Sequence, residues 1–217
     1  LLNTVGQNLR ITVIPAPQVD GVQQLNAYPT RIEDEATAFL LGDIYADEIK
    51  TLVIELSIPA LKQLGEQQIA LLRFEYDEIS EDGTQHHINE LPVMVNVREN
   101  NVQRLLPKPE VTESVLLLQA AQTREQAIEA ADKGHYKQAS QLLEAMADQI
   151  DSSEVNNPLL TEESEALRKQ AQGMTQGQPS YNPYQRKTMS TQAYYTLNDR
   201  HNATVMLRRR ELLRHLN

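Results

Sequence analysis

The segment Leu106-Pro107-Lys108-Pro109 divides this 217-residue chain at the point where its hydrophobic period changes. Upstream of it, apolar residues occupy every second position, as at Leu52, Ile54, Leu56 and Ile58. Downstream of it, they return at every third or fourth position, as at Leu116, Ala120, Ala127 and Ala131. A period of two is typical of a strand with one buried face, whereas a period near 3.6 is typical of an amphipathic helix. The pattern therefore predicts an α+β, multidomain chain, with a β module followed by a helical module.

Residues 9–106 are predicted to form an antiparallel β-sandwich, and residues 1–8 to be the end of a preceding helix or a linker. Turn signals such as Asp20-Gly21 and Glu81-Asp82-Gly83 recur along this region, and no helical pattern is long enough for a parallel crossover. Pro92 places the first half of the last strand at an edge or a bulge, because proline cannot donate to a central ladder. The expected strands cover residues 9–14, 22–28, 36–41, 49–58, 67–79 and 86–97.

Residues 110–174 are predicted to form a helical domain. Segments 111–133 and 135–150 have the pattern of an antiparallel helical hairpin, with Gly134 ending the first helix. A third helix is expected to begin at Thr161 through a capping box and to run to about Met174. The stretch 173–183 is rich in Gly, Gln, Pro, Ser and Asn, so residues 175–217 are predicted to be a flexible linker and a basic C-terminal helix over 192–216.

The composition excludes several classes of site. The chain has no Cys, which excludes disulfides, thiolate metal sites and cysteine nucleophiles. Trp is absent and Phe is rare, so an aromatic stacking platform for nucleic acid is not expected. The net charge of −10 is uneven, because residues 1–174 hold 13 basic and 28 acidic side chains, whereas residues 175–217 hold 7 basic and 2 acidic ones. The acidic body argues against nucleic acid as a partner.

Targeting signals are not visible in the sequence. No apolar run approaches the roughly 20 residues that a membrane-spanning helix needs, so no membrane span is expected. The chain starts at Leu1 without an initiator Met and without a charged segment ahead of an apolar stretch, which suggests a fragment of a longer parent. A cytoplasmic location is favoured, and the targeting of the parent stays open.

No catalytic, cofactor-binding or metal-ligating residues are predicted. His86 and His87 are adjacent in a predicted strand, so they point to opposite faces and do not readily bind one metal ion. Glu75, Asp77 and Asp82 lie in an acidic run near a turn, which leaves two alternatives open: a loose calcium loop and a carboxylate-dependent hydrolase. The few Gly residues form no phosphate-binding cluster, so no nucleotide cofactor is expected.

The candidate binding residues are protein-binding ones and lie in the helical half. The hairpin around Tyr136 has the small and aromatic spacing of one tetratricopeptide repeat, although no second copy follows it. Exposed Tyr and Arg are the usual anchors of protein interfaces. The candidates are Tyr136, Tyr181, Tyr184 and Tyr194, together with the basic cluster Arg208, Arg209 and Arg210. Docking of the tyrosine-rich segment onto its own domain is the competing interpretation.

Several sequence segments resemble the region that follows the A domain in bacterial von Willebrand factor type A (vWA) proteins. They are the segments 5–10 (VGQNLR), 40–48 (LLGDIYADE), 52–59 (LVIELSIP) and 91–97 (LPVMVNV). The family's metal-ion-dependent adhesion site uses an Asp-x-Ser-x-Ser loop, and this chain contains no such sequence. The resemblance therefore implies that magnesium belongs to an A domain outside this chain, and that these residues hold no cofactor.

The leading functional hypothesis is a non-enzymatic structural and protein-interaction region that supports or positions a vWA-type adhesion domain. Its partner would be another protein or the parent's own vWA domain, and its oligomeric state is unknown. The alternatives are a peptide-binding adaptor that uses the repeat-like helical hairpin and, on weaker grounds, the carboxylate-dependent hydrolase.

Overall fold

The computed structural model describes residues 4–46, 48–81, 83–99, 107–155, 157–175 and 181–198. The chain divides into two compact units, Leu1–Leu106 and Pro107–Asn217. Within the described residues, the first unit contains strands and the second contains helices. The class is therefore mixed, with an antiparallel sheet and helices, as the change of hydrophobic period predicts.

In its described residues, the first unit is built on a five-stranded antiparallel sheet. Its strand order is β3-β4-β1-β6-β7, and strands β2 and β5 form a separate two-stranded antiparallel sheet. The bounds are β1 Thr4–Pro15, β2 Gly21–Gln24, β3 Thr30–Glu33, β4 Ala36–Tyr45, β5 Ile54–Ser57, β6 Gly65–Ser80 and β7 Gly83–Val97. The predicted sandwich implies two layers of similar size, whereas the described second sheet has only two short strands.

The N-terminal boundary of the β module differs from the prediction. Residues 4–8, expected to end a preceding helix or to be a linker, belong to β1, where Thr4 pairs with Tyr45 and Gly6 pairs with both Ile44 and Glu78. Asn8 has a left-handed φ of 58° at an irregularity in both ladders. Such a bulge breaks the alternation on which strand prediction depends, so only the pairing with two neighbouring strands reveals this part of β1.

Strand β3, Thr30–Glu33, is absent from the sequence prediction. All four of its residues are exposed, and it pairs with β4 at the edge of the sheet. An edge strand without a buried face has no apolar alternation to detect. At the opposite edge, Pro92 lies in β7, which agrees with the edge position predicted from proline.

Aliphatic and aromatic side chains form the core of the first unit. Most of the buried members come from the large sheet, and partly buried side chains of the two-stranded sheet pack against them. The buried set is Ile11, Val13, Tyr28, Phe39, Leu41 and Ala70, and the side chains contributed by β2, β5 and the residues before β5 are Val22, Leu52, Ile54 and Leu56.

The second unit contains four described helices, α1 Pro109–Asp132, α2 Tyr136–Asp151, α3 Pro158–Thr175 and α4 Pro183–Leu197. Helix α1 contacts each of the other three, and α2 packs on α3. Helices α1 and α2 form the predicted hairpin. Gly134 ends α1 with a φ of +81°, where its N–H donates to Ala131 O at 2.8 Å and that of His135 to Ala130 O at 2.9 Å. This double hydrogen bond is the Schellman motif that a glycine after a helix indicates.

Two helix starts lie at Asn-Pro pairs and differ from the prediction. Helix α3 begins at Pro158, one turn before Thr161, and the Asn157 side chain accepts a hydrogen bond from Leu160 N at 2.9 Å. Helix α4 begins at Pro183, inside the segment predicted to be a flexible linker. Asn-Pro is a turn signal, but asparagine as the cap and proline as the first helical residue also start helices.

The predicted basic helix over 192–216 is only partly described. Residues 192–197 belong to α4, and residues 199–217 lie outside the described residues. Among the described helices, none combines the length and the apolarity that crossing a membrane requires.

Candidate protein-interaction surface

A polar cluster, which we call the latch, joins the end of α1 to the start of α4. The Arg186 guanidinium donates from Nε to both carboxylate oxygens of Asp132, at 3.0 and 2.9 Å, and from Nη2 to Oδ2 at 2.7 Å. The Tyr181 hydroxyl donates to Asp132 Oδ1 at 3.0 Å. These hydrogen bonds lower the pKa of Asp132, and the one from Arg186 has the largest effect. Burial acts in the opposite direction but does not outweigh them.

Tyr181 also packs against Tyr136, the first residue of α2. Their ring centroids are 6.2 Å apart in an edge-to-face arrangement, a favoured aromatic geometry. The pKa of Tyr181 is raised to about 12, mainly by burial and to a smaller extent by the hydrogen bond to Asp132. Two of the predicted binding tyrosines therefore contact each other within one unit, which agrees with docking of this segment onto its own domain.

Helix α4 has one buried face and one exposed face. Met189, Ala193 and Leu197, spaced by four residues, are its buried residues, and α4 packs on α1. Tyr184 is 79% exposed and Tyr195 is 40% exposed. They are eleven residues apart, which is about three helical turns, so they share one side of α4. At about 100° per residue, this side is opposite to the buried stripe.

A third exposed tyrosine widens this surface. Tyr194 is 45% exposed, and its ring centroid is 6.0 Å from that of Tyr195, again edge to face. We call the exposed face with Tyr184, Tyr194 and Tyr195 the tyrosine face. The Asn182 side chain accepts hydrogen bonds from Tyr184 N and Gln185 N, both at 3.0 Å, and so fixes the first turn that carries Tyr184.

The predicted binding residues thus fall into three groups. Tyr136 and Tyr181 face each other, whereas Tyr184 and Tyr194 are exposed on α4. Arg208, Arg209 and Arg210 lie outside the described residues. Sequence reasoning missed Asp132 and Arg186, which are 54 positions apart and have no local signal that predicts their contact. The four-residue spacing of Met189, Ala193 and Leu197 does predict which face of α4 is exposed.

Two histidine–carboxylate pairs cross from β7 to β6. His86 Nδ1 lies 2.8 Å from Asp77 Oδ1, and His87 Nε2 lies 2.8 Å from Glu78 Oε2. Asn8 Nδ2 donates to Asp77 Oδ2 at 2.8 Å, and the hydrogen bonds from Asn8 and then His86 lower the pKa of Asp77. Because adjacent strand residues point in opposite directions, the two pairs lie on opposite faces of the sheet. His86 and His87 therefore do not converge on one site.

The carboxylates of the acidic run considered for a hydrolase or a calcium loop have separate partners. Glu75 Oε2 lies 3.6 Å from Arg10 Nε, and Asp77 is held by Asn8 and His86. Asp82 lies outside the described residues. Within the described ranges, no group of three or more His, Asp or Glu side chains is placed to hold a metal ion.

Comparison with known proteins gives matches in structure but not in sequence. No family model and no curated protein matches the chain. A solved structure titled von Willebrand factor type A from Catenulispora acidiphila matches with a TM-score of 0.54 and 9% sequence identity, over 88% of this chain and 46% of that chain. The chain has a vWA-like fold. At this identity the likeness shows the fold alone.

A second match is titled the ArnB paralog VWA2 from Sulfolobus acidocaldarius, with a TM-score of 0.40 and 9% identity. It covers 89% of this chain and 42% of that chain. The chain therefore spans less than half the length of either vWA structure that it matches.

Proposed function

We propose that this chain is a non-enzymatic protein-interaction region of a vWA-type protein, located after the A domain and positioning it. The likeness to less than half of a structure titled von Willebrand factor type A supports this proposal, as does the absence of an Asp-x-Ser-x-Ser sequence from the chain. The two compact units are domains in this proposal, and the two sheets of the first unit are the layers of a sandwich. The magnesium-dependent adhesion site belongs to the A domain, outside these residues.

The observation that carries the interaction role is the tyrosine face of α4. Tyrosine is enriched among the residues that dominate binding energy, because it buries a large rigid ring and keeps a polar hydroxyl. The Asn182 cap and the latch fix the start of α4, so its tyrosines need little further ordering on binding. Residues 175–217 have 7 basic and 2 acidic side chains, so the partner proposed for this C-terminal segment is a protein with an acidic surface.

The alternatives have less support in the geometry. A peptide groove on the repeat-like hairpin would use Tyr136, but that ring already packs against Tyr181. A carboxylate hydrolase would use Glu75 and Asp77, but Arg10, Asn8 and His86 already engage these side chains. The interaction role therefore remains the proposal.

The test is affinity capture with the whole chain as bait, followed by mass spectrometry and binding measurements on the captured protein. The double variant Tyr184→Ser/Tyr195→Ser should weaken binding about tenfold or more, since it removes two exposed aromatic anchors. Added salt should weaken binding to the unsubstituted chain because the proposed partner is acidic.

The matched control is Ser190→Ala, an exposed position on the same helix whose substitution leaves the tyrosine face intact. Equal melting temperatures of all three proteins show that folding is unchanged. Capture that is the same with and without the two tyrosines contradicts the assignment of this face. Turnover of a substrate that is lost on Asp77→Asn would instead support the hydrolase.

A further inference from the structure

The edge strand β7 carries three exposed apolar side chains that are evenly spaced. Ile88 is 55% exposed, Leu91 is 54% exposed and Met94 is 50% exposed. Ile88 and Met94 are each three residues from Leu91. Among the strands that the structure describes, β7 pairs on one side only, with β6. One edge of the sheet therefore combines unpaired strand backbone with apolar side chains.

The two edge strands of this sheet differ in length. The opposite edge strand, β3, has four residues, whereas β7 has 15. Short edge strands are one way in which proteins avoid pairing with a further strand, and β7 does not use it. Pro92 lies in β7 and lacks an N–H, so it reduces the hydrogen-bonding capacity of this edge near its middle but does not remove it.

The spacing of the apolar residues matches a two-fold axis. Where two copies of β7 pair antiparallel about Leu91, the two Leu91 side chains are directly opposite each other. Ile88 of each copy is then opposite Met94 of the other, because both are three residues from the axis. Alternation along the strand places Ile88 and Met94 on one face and Leu91 on the other. All three exposed apolar residues thus meet an apolar residue in one register.

The polar residues of β7 are compatible with the same register. Glu90 is opposite Pro92 of the other copy, and His86 is opposite Asn96, so no like charges are directly opposed. Glu90 also accepts a hydrogen bond from Arg73 Nε at 2.9 Å within its own sheet, which compensates its charge. The neighbouring register, shifted by two residues, would place Ile88 opposite Asn96 and Met94 opposite Glu90, so these apolar matches would be lost.

We propose that β7 is a self-association edge through which two copies of this chain pair antiparallel about Leu91, extending the five-stranded sheet across a two-fold axis. A closed two-fold contact uses the same edge of both copies, so the association stops at a dimer. This inference is independent of the tyrosine face on α4.

Cysteine cross-linking of the whole chain tests the register, because the natural sequence has no Cys. Residues directly opposite in antiparallel strands have Cα atoms about 4.5–5.5 Å apart, which is within the range that a disulfide bridges. Leu91→Cys should therefore form a covalent dimer under mild oxidation. Ile88→Cys alone should not, because its counterpart lies six residues away, roughly 20 Å along the strand. The double variant Ile88→Cys/Met94→Cys should recover the covalent dimer.

The oligomeric state of the natural, cysteine-free chain, measured by analytical ultracentrifugation, is the second test. We expect a monomer–dimer equilibrium that Leu91→Lys abolishes, since two like charges would then be directly opposite. The control Ile32→Lys, on β3 and 80% exposed before substitution, should leave the dimer unchanged. A chain that stays monomeric at all concentrations overturns the proposal and leaves this edge to a strand of another protein. Cross-linking of Ile88→Cys as fast as that of Leu91→Cys overturns the register.

Discussion

Arg124 is a cation inside the helical unit, with 2% of its surface exposed. Its Nη1 donates to Glu163 Oε1 at 2.5 Å and its Nε donates to Gln170 Oε1 at 3.0 Å, which joins α1 to α3. A buried charge is costly unless it is paired and hydrogen-bonded, so these partners are what makes its burial tolerable. The pair restricts how α1 and α3 align, because a shift of either helix would leave the charge without its partner.

Tyr181 gives a pH-dependent signature of the latch. Its folded pKa of about 12 lies above its ordinary value of about 10, because burial and the Asp132 carboxylate disfavour the tyrosinate. A raised pKa means that the neutral form is favoured by folding. Its contribution to the free energy of unfolding is therefore complete below pH 10 and is lost as the pH rises from about 10 to about 12.

The ultraviolet absorbance of tyrosinate measures this directly. The difference between the titrations of the natural chain and of Tyr181→Phe should show one hydroxyl that ionises near pH 12. Tyr184, the most exposed tyrosine on α4, provides the control through Tyr184→Phe. A Tyr181 step near pH 10 would show that the latch does not form in solution.

At the scale of the element, α4 depends on its first turn and on a narrow buried stripe. Met189, Ala193 and Leu197 supply the apolar contact, and Asn182 and the latch supply the polar one. Helices of this length are marginal without tertiary contacts, so packing and capping decide whether α4 forms. The tyrosine face exists only when both are in place.

The Asn182 cap can be tested by substitution. Asn182→Ala removes the acceptor for Tyr184 N and Gln185 N, and it should lower the stability of α4 by about 1 kcal/mol. Hydrogen exchange of the α4 amides measures this effect, because local opening exposes them without unfolding of the whole unit.

Asn182→Asp is the matched control, since aspartate caps a helix as well as asparagine does. Protection of the α4 amides should then be restored. Equal protection in Asn182→Ala and the natural chain would show that the cap contributes nothing to α4.

At the scale of the whole molecule, the chain divides into two compact units with different cores. Phe39, 1% exposed, lies in the core of the first unit, and Leu143, fully buried, lies in the core of the second. Truncation of such side chains removes buried apolar surface and leaves a cavity. We expect the loss to fall mainly on the unit that contains the substituted residue.

Phe39→Ala should destabilise the strands by about 3–5 kcal/mol, and Leu143→Ala should destabilise the helices by about 2–5 kcal/mol. Hydrogen exchange resolved along the chain separates the two effects. Ile49→Ala, at a side chain that is 60% exposed, is the control and should change neither. Equal loss of protection in both units from either core substitution would show that the chain unfolds as one cooperative body.

The extent of prediction from sequence differs between elements. The long strand predicted over 67–79 agrees with β6, and Gly134 ends α1 as predicted, because each prediction rests on a local pattern. Strand β3 was not predicted, because it has no buried face. Residues 4–8 of β1 were not predicted as a strand, because the strand is irregular at Asn8. Among the site residues, Tyr194 lies within the helix predicted over 192–216, whereas Tyr184 lies on a turn of α4 that the sequence analysis assigned to the linker.

The order of the two modules, the hydrophobic period of each and the absence of cysteine chemistry follow from the amino-acid sequence alone. These properties follow from residue types and short spacings, which act through local backbone geometry and burial of one face. Three features appear only in the folded chain: the contact of Asp132 with Arg186, the burial of Arg124, and the position of β7 at an edge of the described sheet with apolar residues exposed. The physical reason is that contacts between distant residues depend on how elements pack, and packing energy is a property of pairs of surfaces rather than of either segment alone.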